Sequence, residues 1–440
     1  MLKANVTWPG IRQGLVISGM FGLLWFAWAS HTRTLFNGLA SPLFFALATV
    51  TVFLATQFRI HVTRSSLLLY VLFSAWVIYV DARSGEFLPA LAKDSHWLIL
   101  PIASLLFAQA FRAYPRAFEF IQIGAALCII NLLATMFVMA EWFDNWHYPP
   151  IFGHIRHLGL SIGFLSLILF TKTASSTTIA AFFRIVRILG LALVFWSGTR
   201  ASILAWLCCI AVFILLDRTW LKTLLIDTTV AIALSQIPPP AFPVNQWTPG
   251  TVTRTMEELA GSGSTATAAS SMRLSLWKAT LTALSDGGNL WTGLGGNGFA
   301  RLQVMHGVQI TERPHVHPHN AVVQLICDWG LIGILLLVGL FTKAMLRPAT
   351  GRLHASNALA LASIVYLLVT GMFDATLFHL EHLVYLMLGA GLLFSKESES
   401  KNPGILLWQP RVIAFVGGLV AIHLISLDYR IGIFWYFPTQ

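Results

Sequence analysis

Residues 313–320 read Arg313-Pro-His-Val-His-Pro-His-Asn320, and the run AVVQLICDWGLIGILLLVGLFT over residues 321–342 follows directly. That junction decides the fold class. A continuous apolar run of about 20 residues spans a bilayer as a helix. A membrane barrel would instead alternate apolar and polar residues in short segments. The stretch before the run carries Arg313 and three histidines, His315, His317 and His319. Titratable groups gathered where a chain enters apolar surroundings point to chemistry rather than to packing.

Working outward, runs of this kind recur along the chain. Only 10% of the 440 residues are charged, against about 25% in a soluble domain, and the mean hydropathy is +0.73. The expected fold is an all-α polytopic integral membrane protein with about 12 transmembrane helices and one large loop. Spans are expected near residues 13–30, 39–56, 65–81, 96–111, 118–142, 158–173, 179–198, 201–217, 224–237, 320–342, 356–377, 380–395 and 411–427. The first run lacks a small-residue cleavage site and reads as a retained helix. Cys128, Cys208, Cys209 and Cys327 all fall inside apolar runs and read as small buried hydrophobes, not metal ligands.

A net charge of +10 does not argue for nucleic acid here, because membrane proteins concentrate Lys and Arg in cytoplasmic loops. Arg59 and Arg64, Arg112 and Arg116, Arg218 and Lys222, and Lys343, Arg347 and Arg352 fall on one side. The segment 238–319 then lies on the other side, as a periplasmic loop would. The expected division is an N-terminal helix bundle over 1–237, the large loop over 238–319 and C-terminal helices over 320–440. The loop opens with Pro238-Pro-Pro240 and continues through a flexible small-residue stretch, Gly261–Ser271. Residues 272–284 then carry apolar positions at helical spacing and read as an amphipathic helix against the membrane or the bundle. No internal repeat is visible.

Several residues on this side could carry chemistry. Arg200 closes Trp196-Ser-Gly-Thr-Arg200 at a helix junction. It reads either as an arginine snorkelling to the interface or as an anion site, since guanidinium grips phosphate through a two-pronged fork. Arg273 opens the amphipathic helix. Together the two form a clamp suited to pyrophosphate. Arg156 ranks third, and Arg254, Arg301 and Arg313 are weaker. Gly293-Leu-Gly-Gly-Asn-Gly298 matches a dinucleotide fingerprint only formally, because no βαβ unit surrounds it. A tight turn allowing close backbone approach fits better. Pro314 and Pro318 interrupt the histidines and no clustered carboxylates accompany them, so a metal is not expected. His319, at the start of a helix, suits a general base, because imidazole titrates near neutral pH. Asn320 would orient it or cap the helix. Asp374, near the end of another apolar run, would orient the histidine or pair with an arginine.

In this order and on one side of the membrane, Ser197-Gly-Thr-Arg200, Arg273 with Trp277, Gly293-Leu-Gly-Gly-Asn-Gly-Phe299, Pro318-His-Asn320 and Asp374 resemble the O-antigen ligase/polymerase superfamily. The likeness is strongest over residues 150–380, and the length and single large loop resemble its ligase branch most. The resemblance implies a membrane-embedded glycosyltransferase of the C type in the bacterial inner membrane, acting at the periplasmic face. Its donor would be a glycan on undecaprenyl pyrophosphate and its acceptor a sugar hydroxyl of lipid A–core oligosaccharide, giving lipopolysaccharide. His319 would be the base, and Arg200 and Arg273, with Arg156, would hold the pyrophosphate. Asp374, His317, His315 and Asn320 would support them, with no metal or other cofactor and inversion at the anomeric carbon. Partners would be the donor, the acceptor and membrane lipids, with no nucleic acid. The pattern gives His315 and His317 no specific role. An O-antigen polymerase would share this chemistry with a different acceptor. A protein O-oligosaccharyltransferase is disfavoured by the short segment after Asn402. A lipid-linked glycan transporter would call for inverted repeats, and a scaffold leaves Arg200, Arg273 and His319 unexplained.

Overall fold

The computed structural model describes residues 60–138, 151–170, 176–237, 264–306, 317–346, 355–395 and 405–407, except 115, 153, 375 and 379, with scattered positions between 13 and 28. After a three-residue strand β1 (Ile60–Val62) come α1 (Arg64–Arg83), α2 (Phe87–Ala113), α3 (Ala117–Val138), α4 (Ile155–Ile168), α5 (Thr177–Trp196), α6 (Arg200–Leu216) and α7 (Leu221–Leu234). The loop contributes α8 (Ser264–Asp286) and α9 (Gly298–His306). The rest is α10 (Ala321–Leu346), α11 (Ala355–Phe373), α12 (Leu380–Ser395) and β2 (Ile405–Leu407). The two strands pair antiparallel, Ile60 opposite Leu407, a small departure from the all-α expectation.

Arg64–Arg83, Phe87–Ala113, Ala117–Val138, Thr177–Trp196 and Ala321–Thr342 are long and apolar enough to cross a membrane. Ile155–Ile168, Arg200–Leu216, Asn357–Phe373 and His382–Ser395 are shorter apolar helices. The chain is thus a helical, polytopic membrane protein. The spans expected near 39–56 and 411–427 lie outside the described residues. The bundle core is lined by α2 against α12, α6 against α11 and α4 against α5. Side chains such as Trp206, Tyr366, Tyr385 and Phe164 are fully buried there. Glycines let these helices close up: a Cβ on Gly163 would sit 1.8 Å from the Tyr366 hydroxyl.

Two expectations need correction. The span expected to begin near 96 starts at Phe87. Lys93, Asp94, Ser95 and His96 look like a loop in sequence, yet Asp94, Ser95 and His96 are buried. The fold supplies partners inside the bundle: Trp329 Nε1 donates to Asp94 Oδ2 at 2.6 Å, and the Ser95 hydroxyl donates to the Ala92 carbonyl at 2.7 Å. The stretch expected to be flexible from Gly261 to Ser271 is helical from Ser264 onward, because its alanines favour helix.

α10 is not a regular helix. It breaks at Gly330, whose φ of 66° and ψ of −176° are open essentially only to glycine. A break at this depth frees backbone groups that must be satisfied inside the protein. The glycine-rich loop does this. Leu331 and Ile332 donate to the carbonyls of Leu290 and Trp291, and Leu294 and Gly295 donate to the carbonyls of Cys327 and Asp328. These are the hydrogen bonds the unbroken helix would have made between 331 and 327 and between 332 and 328. The loop thus stands in for a missing turn, and its glycines serve close approach. A Cβ on Gly293 would lie 2.4 Å from the Asp328 carbonyl oxygen, and one on Gly298 2.2 Å from that of Cys327.

Two fully buried carboxylates, Asp81 and Asp328, fix this loop to the bundle. Asp81, from α1, accepts from the Gly296 N–H at 2.9 Å. Asp328 accepts from the Gly298 N–H at 2.6 Å and from the Gln324 side-chain amide at 2.9 Å. Gly298 opens α9, so Asp328 satisfies one of the backbone N–H groups left free at that helix's N-terminus.

Candidate active site

The site forms where α10 begins. Asn320 caps that helix, its side-chain oxygen accepting from the N–H groups of Val322 and Val323 at 2.8 and 3.1 Å. His319, just before the cap, has φ 54°, a left-handed conformation uncommon outside glycine. Two contacts hold the turn. The His319 N–H donates to Nδ1 of His317 at 3.3 Å, and Trp277 of α8 donates to the Pro318 carbonyl at 2.7 Å. The two histidine rings lie 4.2 Å apart, edge to face. His317 therefore shapes the backbone that presents His319. The side chain of His319 stays 26% exposed, so a ligand can reach it.

Asp374, directly after α11, joins the histidines to the arginines. Its Oδ1 lies 3.4 Å from His319 Nδ1 and its Oδ2 3.4 Å from Arg156 Nη1. Arg156 sits in the first turn of α4, whose start is capped by His154 Nδ1 accepting from the Arg156 N–H at 3.1 Å. Arg273, on α8, donates to the Phe373 carbonyl at 3.2 Å, next to Asp374 in sequence. α8 is held there by Leu276, Thr280 and Leu284, buried at four-residue spacing. The two leucines pack with Phe299, Leu302 and Ile326, so this face of the amphipathic helix lies on α9 and α10.

Arg200 opens α6 after a tight turn in which Gly198 has φ 74°. The Ser197 hydroxyl bonds the Val194 carbonyl and the Thr199 hydroxyl, each at 2.7 Å. Thr199 in turn packs on Gly159 of α4, where a Cβ would meet its hydroxyl at 2.1 Å. The Ser-Gly-Thr sequence is thus a rigid mount for Arg200, whose side chain is exposed and whose charge acts on Arg273.

The electrostatics follow from this crowding. Burial lowers the Arg273 guanidinium's affinity for its proton, and the charges of Arg156 and Arg200 add to that effect. Burial pushes His317 down to about 4, helped by the neighbouring His319, so its imidazole is neutral near pH 7. For Asp374 burial alone would raise the carboxyl. The hydrogen bond from His319 and the charge of Arg156 outweigh it and hold the group well below the usual carboxylate range. Asp374 is therefore a fixed anion among cations.

The sequence offered no carboxylate to complete a metal set with the histidines, but the fold supplies Asp374. His317, His319 and Asp374 each present one ligand atom within 4.8 Å of the others. Most of this capacity is already engaged, since Asp374 holds both Arg156 and His319. Of the arginines ranked weaker, Arg254 and Arg313 lie outside the described residues, as does His315. Arg301 is placed away from the histidines, donating to the carbonyls of Gly296 and Ser84. Sequence reading missed Asp81, Asp94 and Asp328, although a carboxylate inside an apolar run is itself a signal. It also missed His157 and His382, whose rings meet edge to face at 5.0 Å close to Asp374.

No curated protein matches the chain. A family model described as O-antigen ligase matches residues 185–338. The matched segment includes Arg200, Arg273, the glycine-rich loop, His317 and His319, whereas Arg156 and Asp374 lie outside it. Over that segment, about a third of its length, the chain is similar to the O-antigen ligase family.

Proposed function

We propose that the protein is an O-antigen ligase. It transfers a glycan from undecaprenyl pyrophosphate to a sugar hydroxyl of lipid A–core oligosaccharide at the periplasmic face of the inner membrane. The observation that carries this reading is the chain of contacts from His319 through Asp374 to Arg156, with Arg273 anchored on the neighbouring Phe373 carbonyl. A base, its orienting carboxylate and guanidinium groups are what transfer from a lipid pyrophosphate needs.

With Nδ1 protonated and donating to Asp374, the imidazole of His319 keeps its lone pair on Nε2. Nε2 takes the proton of the acceptor hydroxyl as the oxygen bonds to the anomeric carbon. The bond from that carbon to the pyrophosphate oxygen breaks, and the pyrophosphate leaves with its electron pair. Arg200 and Arg273, with Arg156, stabilise the charge developing on it. A single displacement inverts the anomeric centre. The arginines supply the positive charge, so the reaction is metal-independent. A cation bound by His317, His319 and Asp374 would compete with Arg156 for the carboxylate and occupy the base.

The test is transfer by the purified protein from a defined undecaprenyl-pyrophosphate glycan, with each acceptor offered in turn. Product on lipid A–core is expected. Lengthened lipid-linked glycan alone would instead identify a polymerase. Chelation by EDTA is expected to leave the rate unchanged. Loss of activity that a divalent metal restores would refute the metal-free mechanism.

A further inference from the structure

A cavity of about 620 Å³ opens beside the glycine-rich loop. It lies between the end of α1, the start of α2, the glycine-rich loop and α9. Arg83, Glu86, Asn289, Asn297 and Arg301 line it, together with apolar groups such as Val304. Arg301 is held rigidly, with Nε on the Gly296 carbonyl at 3.1 Å, Nη1 on that of Ser84 at 2.8 Å and Nη2 3.4 Å from Glu86. Arg83 is exposed, its guanidinium 5.7 Å over the Tyr79 ring. Val304 is 70% exposed, so the mouth also offers an apolar surface. Leu294, in the cavity wall, bonds the Cys327 carbonyl, which lies eight residues and so about 12 Å along α10 from His319. The cavity wall is therefore hydrogen-bonded to the same helix that His319 precedes.

We propose that this cavity is the acceptor subsite and that it recognises a saccharide bearing an anionic group, phosphate or carboxylate. The inference rests on the glycosyl-transfer reading above and extends it. Amides and a carboxylate suit sugar hydroxyls, and the exposed guanidinium of Arg83 suits the anionic substituent. The arginines assigned to the donor stand on α4, α6 and α8. This cavity is walled by other elements, so a saccharide bound here would not compete with the donor for those arginines.

Binding is measured on the full-length protein in detergent by thermophoresis. The probe is lipid A–core oligosaccharide before and after removal of its phosphates. The wild type is expected to bind the phosphorylated form about ten-fold more tightly, and Arg83→Ala to lose that preference. Arg83→Lys is expected to retain part of it, and Asn289→Ala to weaken both forms. In the transfer assay Arg83→Ala is expected to raise the acceptor KM and leave the donor KM unchanged. An unchanged preference in Arg83→Ala overturns the proposal. Equal competition by phosphatidylglycerol micelles also overturns it, because the site would then be an ordinary headgroup contact. The binding readout does not depend on transfer. A wild-type protein that shows the phosphate preference but transfers no glycan refutes the ligase reading and leaves an anionic-saccharide site without the acceptor role.

Discussion

His319 is presented by a left-handed backbone turn, oriented by Asp374 and strapped by His317. If it is the base, His319→Ala is expected to lower kcat by about 10²- to 10⁴-fold, with little change in donor binding. Asp374→Asn would keep the shape but weaken the hold on the imidazole tautomer and on Arg156, and a substantial loss of kcat is expected there too. A pH dependence of stability follows from His317. Its folded pKa of about 4 lies below the unfolded value near 6.5. The unfolded chain therefore binds a proton that the folded chain refuses, and stability falls as pH drops from about 6.5 towards 4. Asp374 is depressed, so its stabilising contribution is intact above the unfolded carboxyl value and is lost only at lower pH. Melting curves between pH 4 and 7 are expected to show this slope, and His317→Gln is expected to flatten it. At this scale His319, Asp374, Arg273 and Arg156 were all open to sequence reading, as polar groups in a greasy chain. The role of His317 was not, because it depends on a backbone angle.

At the scale of elements, the break in α10 and the loop that fills it form one unit. Gly330→Ala places a Cβ 2.2 Å from the Trp291 carbonyl oxygen in a conformation that excludes side chains. A destabilisation of at least about 1–3 kcal/mol is expected, read as a lower melting temperature. Because α9 and the start of α10 share this loop, activity is expected to fall with it. The sequence marked the loop as a tight turn, and its glycines carry that role in the structure. It did not show what the turn approaches, since Asp81 and Gly296 are 215 residues apart. The early start of α2 was hidden for a similar reason. A window of sequence counts Lys93 and Asp94 as breaks in an apolar run, and only the fold reveals the indole of Trp329 that satisfies Asp94.

At the scale of the whole molecule, the site is assembled from distant parts: α4, α8, the end of α11 and the start of α10, with Arg200 nearby on α6. The frame away from the site must therefore be rigid. One tie is Asp227 of α7, which is fully buried and takes Arg187 and Arg184 of α5. Arg187 also stacks on Phe170 at 3.7 Å. Asp227→Ala leaves a buried guanidinium uncompensated, and a loss of about 3–5 kcal/mol is expected, measurable by thermal unfolding in detergent. Membrane topology is tested by single cysteines in a cysteine-free background. Residue 289 is expected to react with an impermeant maleimide on spheroplasts, and residue 222 only after lysis. The polytopic helical class followed from composition alone, whereas the convergence of these helix ends on one site needed the fold. The central claim is that His319 drives transfer from a lipid pyrophosphate with arginines in place of a metal. Its most direct test is in vitro transfer to lipid A–core by wild type and His319→Ala in the presence of EDTA. Full wild-type activity with a variant reduced at least about 100-fold is the expected result, and a variant that transfers at the wild-type rate would contradict it.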